Sequence, residues 1–179
     1  MKKDQNAWVI LDQLHRHILD SVLHDFNITH LQEPTIQHLN QVWHRLNPWP
    51  DSVEGLTRLK QKFIICSLSN GNISLLTHMA KHARLPWDCI LSAENFHCYK
   101  PDPAVYKGLV KTFGLAPETV MLSAAHHDDL AAARDCGLLT AYIQRPLEYG
   151  MNHIKEVSPQ PGNHIHASNM VTLAEQLGC

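Results

Sequence analysis

The sequence predicts an α/β fold, in which a parallel sheet carries helices on both faces and a helical unit precedes it. From residue 51 onward, short apolar runs alternate with stretches of helical periodicity, as expected when each buried strand is followed by a crossover helix. Before residue 51, apolar residues recur at steps of three and four, which indicates amphipathic helices. We therefore divide the chain into a helical subdomain at residues 1–50 and a sheet-containing core at residues 51–179.

Length and composition are typical of a single globular domain with a small subdomain. The chain has 179 residues, of which 44% are hydrophobic and 18% are charged, enough to bury a sizeable core. Its net charge of −2 indicates no basic surface for nucleic acid. Met1-Lys2-Lys3 could begin a signal peptide, but the apolar run Trp8-Val9-Ile10-Leu11 stops at Asp12 and is too short for one or for a membrane span. These features predict a cytoplasmic protein that binds neither nucleic acid nor membranes.

Cysteine and histidine spacing predicts neither disulfides nor a metal site. The five cysteines are widely spaced and contain no C-x-x-C pair, which favours free buried thiols. Among the 14 histidines, His15/His17 and His164/His166 are two residues apart, a spacing that a helix places on different faces. We therefore expect no metal and no other cofactor.

Two amphipathic helices are predicted in the first fifty residues, one over residues 6–26 and one beginning near Pro34. Their apolar stripes consist of Trp8, Leu11, Leu14, Ile18 and Val22 in the first helix and of Ile36, Leu39, Trp43 and Leu46 in the second. Stripes at this spacing are usually buried, although an exposed tryptophan stripe could contact a substrate. Pro48 and Pro50 cannot continue a helix, so they place a boundary before the core.

The core is predicted to alternate strands and helices. The apolar runs expected to form strands are Phe63–Leu68, Cys89–Ser92, Val120–Ala124, Leu138–Ile143 and Ile165–Ala167. Asp51 and Glu54 have the spacing of a capping box at a helix start, and Asp102-Pro103 supplies an N-cap and a first-turn proline. Gly137 is placed to end the helix that follows Asp129.

Polar loops follow three of these strands and are expected to form one site. They contain Ser69-Asn70-Gly71-Asn72, Lys100, and His126 to Asp129, each separated from the next by roughly the thirty residues of one βα unit. Because the carboxyl ends of parallel strands meet at one edge of a sheet, a shared anion site beside a lysine is favoured. Taken singly, these residues have simpler interpretations: turn formers, a solvated lysine, or a helix N-cap at Asp128 or Asp129.

The motifs between residues 43 and 150 together resemble a known family. They are Trp49-Pro50-Asp51, Leu68-Ser69-Asn70-Gly71-Asn72, Leu85-Pro86-Trp87-Asp88, Tyr99-Lys100-Pro101-Asp102-Pro103-Ala104-Val105-Tyr106, Ala124-Ala125-His126 with Asp129-Leu130, and Arg145-Pro146-Leu147-Glu148. This set is similar to the haloacid dehalogenase superfamily, and within it to the (S)-2-haloacid dehalogenases. The resemblance implies a Rossmannoid core, with residues 1–50 as part of a helical cap.

The resemblance implies that a small anionic organic acid loses halide through an aspartyl ester, without metal. It implies catalytic roles for Lys100, Asp129 and Ser69 and substrate-binding roles for Asn70, Tyr106 and His126. Ser69 and Asn70 would bind the substrate carboxylate, and Lys100 would hold the nucleophilic carboxylate. Asp129 would position the water that hydrolyses the ester. His126 stands where relatives have Asn or His.

The chain departs from the family pattern at the nucleophile. The resemblance implies an aspartate, followed four residues later by threonine, at the end of a first, central strand. Asp12 is the one candidate, but Arg16 stands four residues later and the segment fits a helix better. We therefore expect a core that lacks its first strand, and a truncated chain that is inactive alone. Lys100 would then face a carboxylate from elsewhere, with a complementing segment or a second copy covering the exposed strand edges.

Two alternatives to the dehalogenase remain open. One is a non-catalytic binding module that uses the anion pocket or an exposed sheet edge. The other is a magnesium-dependent phosphatase with Asp128 and Asp129 as ligands.

Overall fold

The structure is a computed structural model that describes residues 8–179. Residues 1–7, which include Met1-Lys2-Lys3 and the start of the predicted cap and first helix, lie outside the described residues. The elements are, in order, α1 (Leu11–Asp25), α2 (Glu33–Asn40), α3 (Ser52–Lys60), β1 (Cys66–Ser69), α4 (Ile73–Ala83), β2 (Cys89–Ser92), α5 (Pro103–Phe113), β3 (Met121–Ala124), α6 (His127–Asp135), β4 (Leu139–Ile143), β5 (Ile165–Ala167) and α7 (Met170–Gln176). Short 3-10 segments cover Gln41–Arg45, Ala93–Asn95 and Pro117–Thr119. None of the helices in residues 8–179 has the length and hydrophobicity needed to cross a bilayer.

All strand pairs in the described residues are parallel, which confirms the predicted α/β fold. β1 pairs with β2, and β3, β4 and β5 form a second group in that order. β1 and β3 are not hydrogen-bonded to each other, so the sheet is divided into two parts. This break lies where the missing first strand is expected, and that strand stays a prediction.

The first predicted strand is shorter than the apolar run that indicated it. β1 begins at Cys66, and the side chains of Phe63 and Ile64 are 40% and 70% exposed. A continuous apolar run identifies a strand buried on both faces, but it does not fix where the strand begins.

The two N-terminal helices are confirmed, but their apolar stripes are buried only in part. α1 and α2 are joined by Arg16, whose guanidinium donates two hydrogen bonds to the carboxylate of Glu33 at 2.5 and 2.7 Å. Ile18, Val22 and Trp43 are 60%, 43% and 45% exposed. Other members of the stripes are partly covered: Trp8 packs against Tyr99, and Leu11 and Leu14 are half-buried.

The helix ends of the core are predicted well where the signal is local. The carboxylate of Asp102 accepts a hydrogen bond from the backbone N–H of Ala104 at 2.8 Å, as expected of an N-cap before a first-turn proline. Gly114 and Gly137 follow α5 and α6 with φ of 62° and 86°, the left-handed region that glycine adopts without strain.

The predicted capping box at Asp51 is wrong. No side-chain cap forms at the start of α3. The Asp51 carboxylate instead accepts hydrogen bonds from the guanidinium of Arg145 at 2.8 and 3.1 Å and from the backbone N–H of Met170 at 2.7 Å. It therefore joins α3 to the end of β4 and to α7.

Two apolar clusters form the core. The first contains Leu56, Leu59, Ile65, Ala141, Ile143, Ala167, Leu173 and Ala174. The second contains Tyr106, Ala133, Cys136 and Leu138. All five cysteines are free, as predicted, although only Cys136 is fully buried. The first cluster packs α3 against α7, and the second packs α5 and α6 together under β3 and β4.

Replacement of Gly55 by alanine is expected to destabilise the protein by about 2 kcal/mol, because overpacking a closed contact costs roughly 1–3 kcal/mol. An added Cβ would lie 2.5 Å from Cβ of Met170 and 2.6 Å from its backbone carbon. Urea unfolding measures the change. The matched control is Gly114→Ala, where the new Cβ meets no atom within 4 Å and only left-handed strain of about 1 kcal/mol remains. Equal losses in the two variants would contradict a steric limit at Gly55.

Candidate functional site

The loops after β1 and β2 are joined by the side chain of Asn70. Its Oδ1 accepts a hydrogen bond from the backbone N–H of Lys100 at 2.7 Å, and its Nδ2 donates to the Lys100 carbonyl at 3.2 Å. Both ends of the amide are therefore used to fix the backbone of Lys100. Asn70 was predicted to bind substrate through a backbone donor, and that role stays a prediction, while its side chain positions the lysine.

The Lys100 ammonium meets a carboxylate of the same chain. Lys100 Nζ donates to Oδ2 of Asp129 at 2.6 Å, and the hydroxyl of Tyr106 donates to Oδ1 of Asp129 at 2.6 Å. The Lys100 and Asp129 side chains are only 15% and 17% exposed, and Tyr106 is fully buried. Neither the solvated-lysine nor the N-cap interpretation holds for this pair. The expectation that Lys100 faces a carboxylate from elsewhere stays a prediction, because the bond to Asp129 uses one of its three donors.

Tyr106 is held as a hydrogen-bond donor. Burial of the phenol, and then its hydrogen bond to the Asp129 carboxylate, raise the pKa of Tyr106 well above its ordinary value. Both effects disfavour the phenolate, because a second negative charge would lie in a dry site beside Asp129. The O–H therefore stays in place to orient the Asp129 carboxylate.

Replacement of Tyr106 by phenylalanine is expected to lower the free energy of unfolding by about 1.5 kcal/mol, because a hydrogen bond to a charged group contributes roughly 1.5–3 kcal/mol. The ring volume is kept, so the change isolates the hydroxyl. Chemical denaturation of the variant measures the effect. Tyr149→Phe is the control, since Tyr149 is 62% exposed and its loss of a hydroxyl should cost little. A Tyr106→Phe protein as stable as the wild type would show that the Asp129 contact adds nothing.

Ser69 lies at the carboxyl end of β1, where it was predicted. Its Oγ accepts a hydrogen bond from the backbone N–H of Gly71 at 3.1 Å, while the Ser92 hydroxyl donates to the Gly71 carbonyl at 2.5 Å. The loop is thus fixed from both sides. Ser69 therefore stabilises the turn. Because its Oγ acts as an acceptor there, its hydroxyl proton can still be donated to a ligand.

His126 belongs to a separate ionic group at the rim. Its Nε2 lies 2.6 Å from Oε1 of Glu148, whose Oε2 accepts from Lys155 Nζ at 2.6 Å. Lys155 also donates to the carbonyl of Ala125 at 2.7 Å. Burial alone would raise the pKa of Glu148, but its bonds to Lys155 and His126 lower it below the ordinary value. The hydrogen bonds found for His126 in the described residues do not reach Lys100, Tyr106 or Asp129.

The contact of Lys155 with Glu148 could not be predicted from the sequence. The partners of Asp12 could not be predicted either, although its helix was. Lys155 lies in a loop with no motif, so no local signal marked it. Asp12 lies in α1, as the helical interpretation predicted, and its carboxylate contacts His44 and Asn72. It is therefore engaged where the helical segment meets the core. No group of three or more His, Cys, Asp or Glu side chains between residues 8 and 179 is arranged to hold a metal ion.

Comparison with known proteins identifies the family. Haloacid dehalogenase-like hydrolases match residues 3–137 of the chain. The chain belongs to this family. The (S)-2-haloacid dehalogenase 4A of Burkholderia cepacia is 31% identical to it over 134 residues, which are 68% of this chain and 58% of that relative. The chain therefore spans less than two thirds of the curated relative's length.

Two solved structures resemble this chain closely. An L-2-haloacid dehalogenase superposes with a TM-score of 0.93 and 44% identity, covering 98% of this chain and 77% of that protein. A defluorinating L-2-haloacid dehalogenase superposes with a TM-score of 0.91 and 45% identity, covering 96% and 71%. The resemblance seen in the motifs is thus confirmed, as is the fold.

Proposed function

We propose that this chain hydrolyses the carbon–halogen bond of short 2-haloalkanoic acids once an aspartate nucleophile is supplied beside Lys100. The observation that carries the proposal is the convergence of Lys100 and Tyr106 on the Asp129 carboxylate at the carboxyl ends of β1, β2 and β3. A buried ammonium held in fixed geometry is what the displacement of an anionic leaving group from an anionic acid requires.

The proposed reaction has two steps. In the first, a carboxylate oxygen of the nucleophile forms a bond to C2 of the acid, and the carbon–halogen bond breaks with its electron pair leaving as halide. In the second, water attacks the ester carbonyl, which releases a 2-hydroxy acid and restores the carboxylate. Lys100 neutralises the nucleophile's charge, and Asp129 holds the attacking water.

The residues of this chain support separate parts of that scheme. The Lys100 ammonium has three N–H donors, and its bond to Asp129 uses one of them. Asn70 fixes the Lys100 backbone, and the Ser69 hydroxyl and neighbouring amides stand ready for the substrate carboxylate at the start of α4. His126, held by its contact with Glu148, is proposed to contact the substrate.

The nucleophile is the part that we assign to a further segment. Asp12 is held in α1 by His44 and Asn72, so it is engaged away from Lys100. The break in the sheet between β1 and β3 leaves an edge on each strand with unpaired backbone groups, which favours addition of another strand. An apolar strand that ends in Asp-x-x-x-Thr is proposed to complete the site there.

Halide release tests the proposal. The chain alone and a fusion that carries such a strand at its N-terminus are assayed with (S)-2-chloropropionate and, because one relative is a defluorinating enzyme, with 2-fluoropropionate. We expect release from the fusion and none from the chain alone. The same fusion with asparagine at the nucleophile position is the control and should be inactive. A folded fusion that releases no halide from either acid would remove the substrate assignment.

A further inference from the structure

A basic pocket lies on the face where the 3-10 segment Gln41–Arg45 meets α4. It is shallow and open to solvent, with a volume of about 360 Å³. The pocket is lined by Gln41, His44, Arg45, His78, Lys81 and His82. All six side chains are basic or carry an amide, and no carboxylate lines the pocket. None of these residues belongs to the group around Lys100 and Asp129.

The two permanent charges of this pocket have no acidic partner among the described residues. The Arg45 guanidinium donates to the carbonyl oxygens of Gln41 and His38, both at 3.0 Å. These neutral acceptors orient the guanidinium but do not cancel its charge. Lys81 forms no ion pair within residues 8–179 and is exposed. The pocket therefore presents uncompensated positive charge, which favours an anion.

A partly buried chain of hydrogen bonds runs from His78 in this pocket through His44 to Asp12. His44 is 6% exposed, and its Nε2 lies 3.0 and 3.1 Å from the two carboxylate oxygens of Asp12. A carboxylate can only accept, so Nε2 of His44 carries the proton and its Nδ1 is free to accept. His78 Nδ1 lies 2.9 Å from that Nδ1 and must be the donor. The second ring nitrogen of the exposed His78 is then left for a ligand in the pocket.

We propose that this pocket binds a small phosphate-bearing ligand. A phosphate dianion matches the two permanent charges of Arg45 and Lys81, and its oxygens accept hydrogen bonds from imidazolium N–H groups. A phosphate oxygen beside Nε2 of His78 can accept a hydrogen bond from that nitrogen, while Nδ1–H of the same ring donates to His44.

The bound anion would affect the loop after β1 indirectly, through the contacts of Asn72 with Asp12. This side chain is 2% exposed, donates to Asp12 Oδ2 at 2.9 Å and accepts from the Asp12 backbone N–H at 3.2 Å. It directly follows Gly71 in the loop that also contains Ser69. Ligand binding would thus fasten the helical segment to α4 and tighten the same loop that belongs to the candidate site.

Isothermal titration calorimetry with inorganic phosphate tests the site, with ionic strength held constant by sodium chloride. We expect one saturable site per chain and at least a tenfold weaker affinity in Lys81→Gln. Lys111→Gln removes an exposed lysine of α5 and is the matched control, whose affinity should equal that of the wild type. Absence of saturable binding in the wild type, or equal binding by Lys81→Gln, would overturn the proposal.

A second titration, with glycerol 3-phosphate, separates the two sources of the phosphate group. Tighter binding than that of inorganic phosphate supports an organic phosphate as the occupant, and tighter binding of inorganic phosphate supports the free ion. Nuclear magnetic resonance of the same samples locates the ligand through the ring nitrogens of His78 and the amide of Asn72. Shifts confined to Ser69, Lys100 and their neighbours would instead place the anion in the candidate active site and would count against this pocket.

Discussion

Replacement of Lys100 by methionine is expected to lower the free energy of unfolding by about 2–3 kcal/mol, because breaking a buried ion pair strands the remaining charge. The figure is below the 3–5 kcal/mol typical of full burial, since both side chains keep some exposure, 15% for Lys100 and 17% for Asp129. After the substitution, the Asp129 carboxylate retains only the Tyr106 hydroxyl of its two side-chain partners. Urea denaturation of the 179-residue chain measures this loss without any assay of activity.

The same substitution separates stability from catalysis. In the fusion that supplies a nucleophile, Lys100→Met is expected to reduce halide release at least about 100-fold, the scale of removing one preorganised electrostatic group. Lys111→Met is the control for loss of an exposed lysine and should change neither quantity. If Lys100→Met unfolds at the wild-type urea concentration, the contact has only the strength of a surface ion pair, and its proposed role in holding Asp129 would fail.

The convergence of the site could be predicted because it depends on the period of the βα unit. Ser69, Lys100 and Asp129 each follow a strand, and the carboxyl ends of parallel strands meet whatever the intervening side chains are. The partner of each side chain within the site could not be predicted in the same way. Asn70 is close to Lys100 because two loops adopt particular conformations, and no pattern in the sequence encodes that distance.

Asp51 shows why a local motif can fail. Its spacing from Glu54 satisfies the capping-box pattern, which is worth about 1 kcal/mol to a helix. In the structure, Asp51 accepts two hydrogen bonds from Arg145, 94 residues away. Two parallel hydrogen bonds from a cationic guanidinium are stronger than one hydrogen bond from a neutral backbone N–H, so the carboxylate binds Arg145 and not the helix end. A motif read from four neighbouring residues contains no information about such a partner.

The apolar stripes of the N-terminal helices show a different limit. Periodicity correctly placed a helix over most of residues 6–26, but it says which face is apolar and not what covers that face. Ile18 and Trp43 are exposed, and the helices contact the core in part through the polar residues Asp12 and His44. These two polar residues carry no periodic signal, and their pairing depends on a third residue, Asn72, sixty positions after Asp12.

Replacement of Asp51 by alanine is expected to destabilise the protein by about 3–4 kcal/mol, because Arg145 would be left buried without a counter-charge. Arg145 is 9% exposed, and the Asp51 side chain is 16% exposed. The loss also removes the acceptor for the Met170 backbone N–H. Asp25→Ala, at a side chain that is 73% exposed, is the control and should be nearly neutral.

The double variant Asp51→Ala/Arg145→Met should recover about 2 kcal/mol of the stability lost in Asp51→Ala, since no charge is then left without a partner. Additive losses would mean that the two residues do not interact.

The ion pair between Asp51 and Arg145 also predicts how the free energy of unfolding responds to acid. Burial alone would raise the pKa of Asp51, but the hydrogen bonds from Arg145 and Met170 outweigh it and hold the pKa below its ordinary value of 3.8. The folded carboxyl therefore binds its proton less readily than the unfolded one, so the stabilisation is complete well above pH 3.8, begins to decline near that value, and is lost as the pH falls through the lower pKa of the folded carboxyl. The difference in unfolding free energy between the wild type and Asp51→Ala should stay constant from about pH 7 to pH 5 and shrink below about pH 4. A difference that is unchanged down to about pH 3 would show that the cost of Asp51→Ala comes from packing and not from its charge.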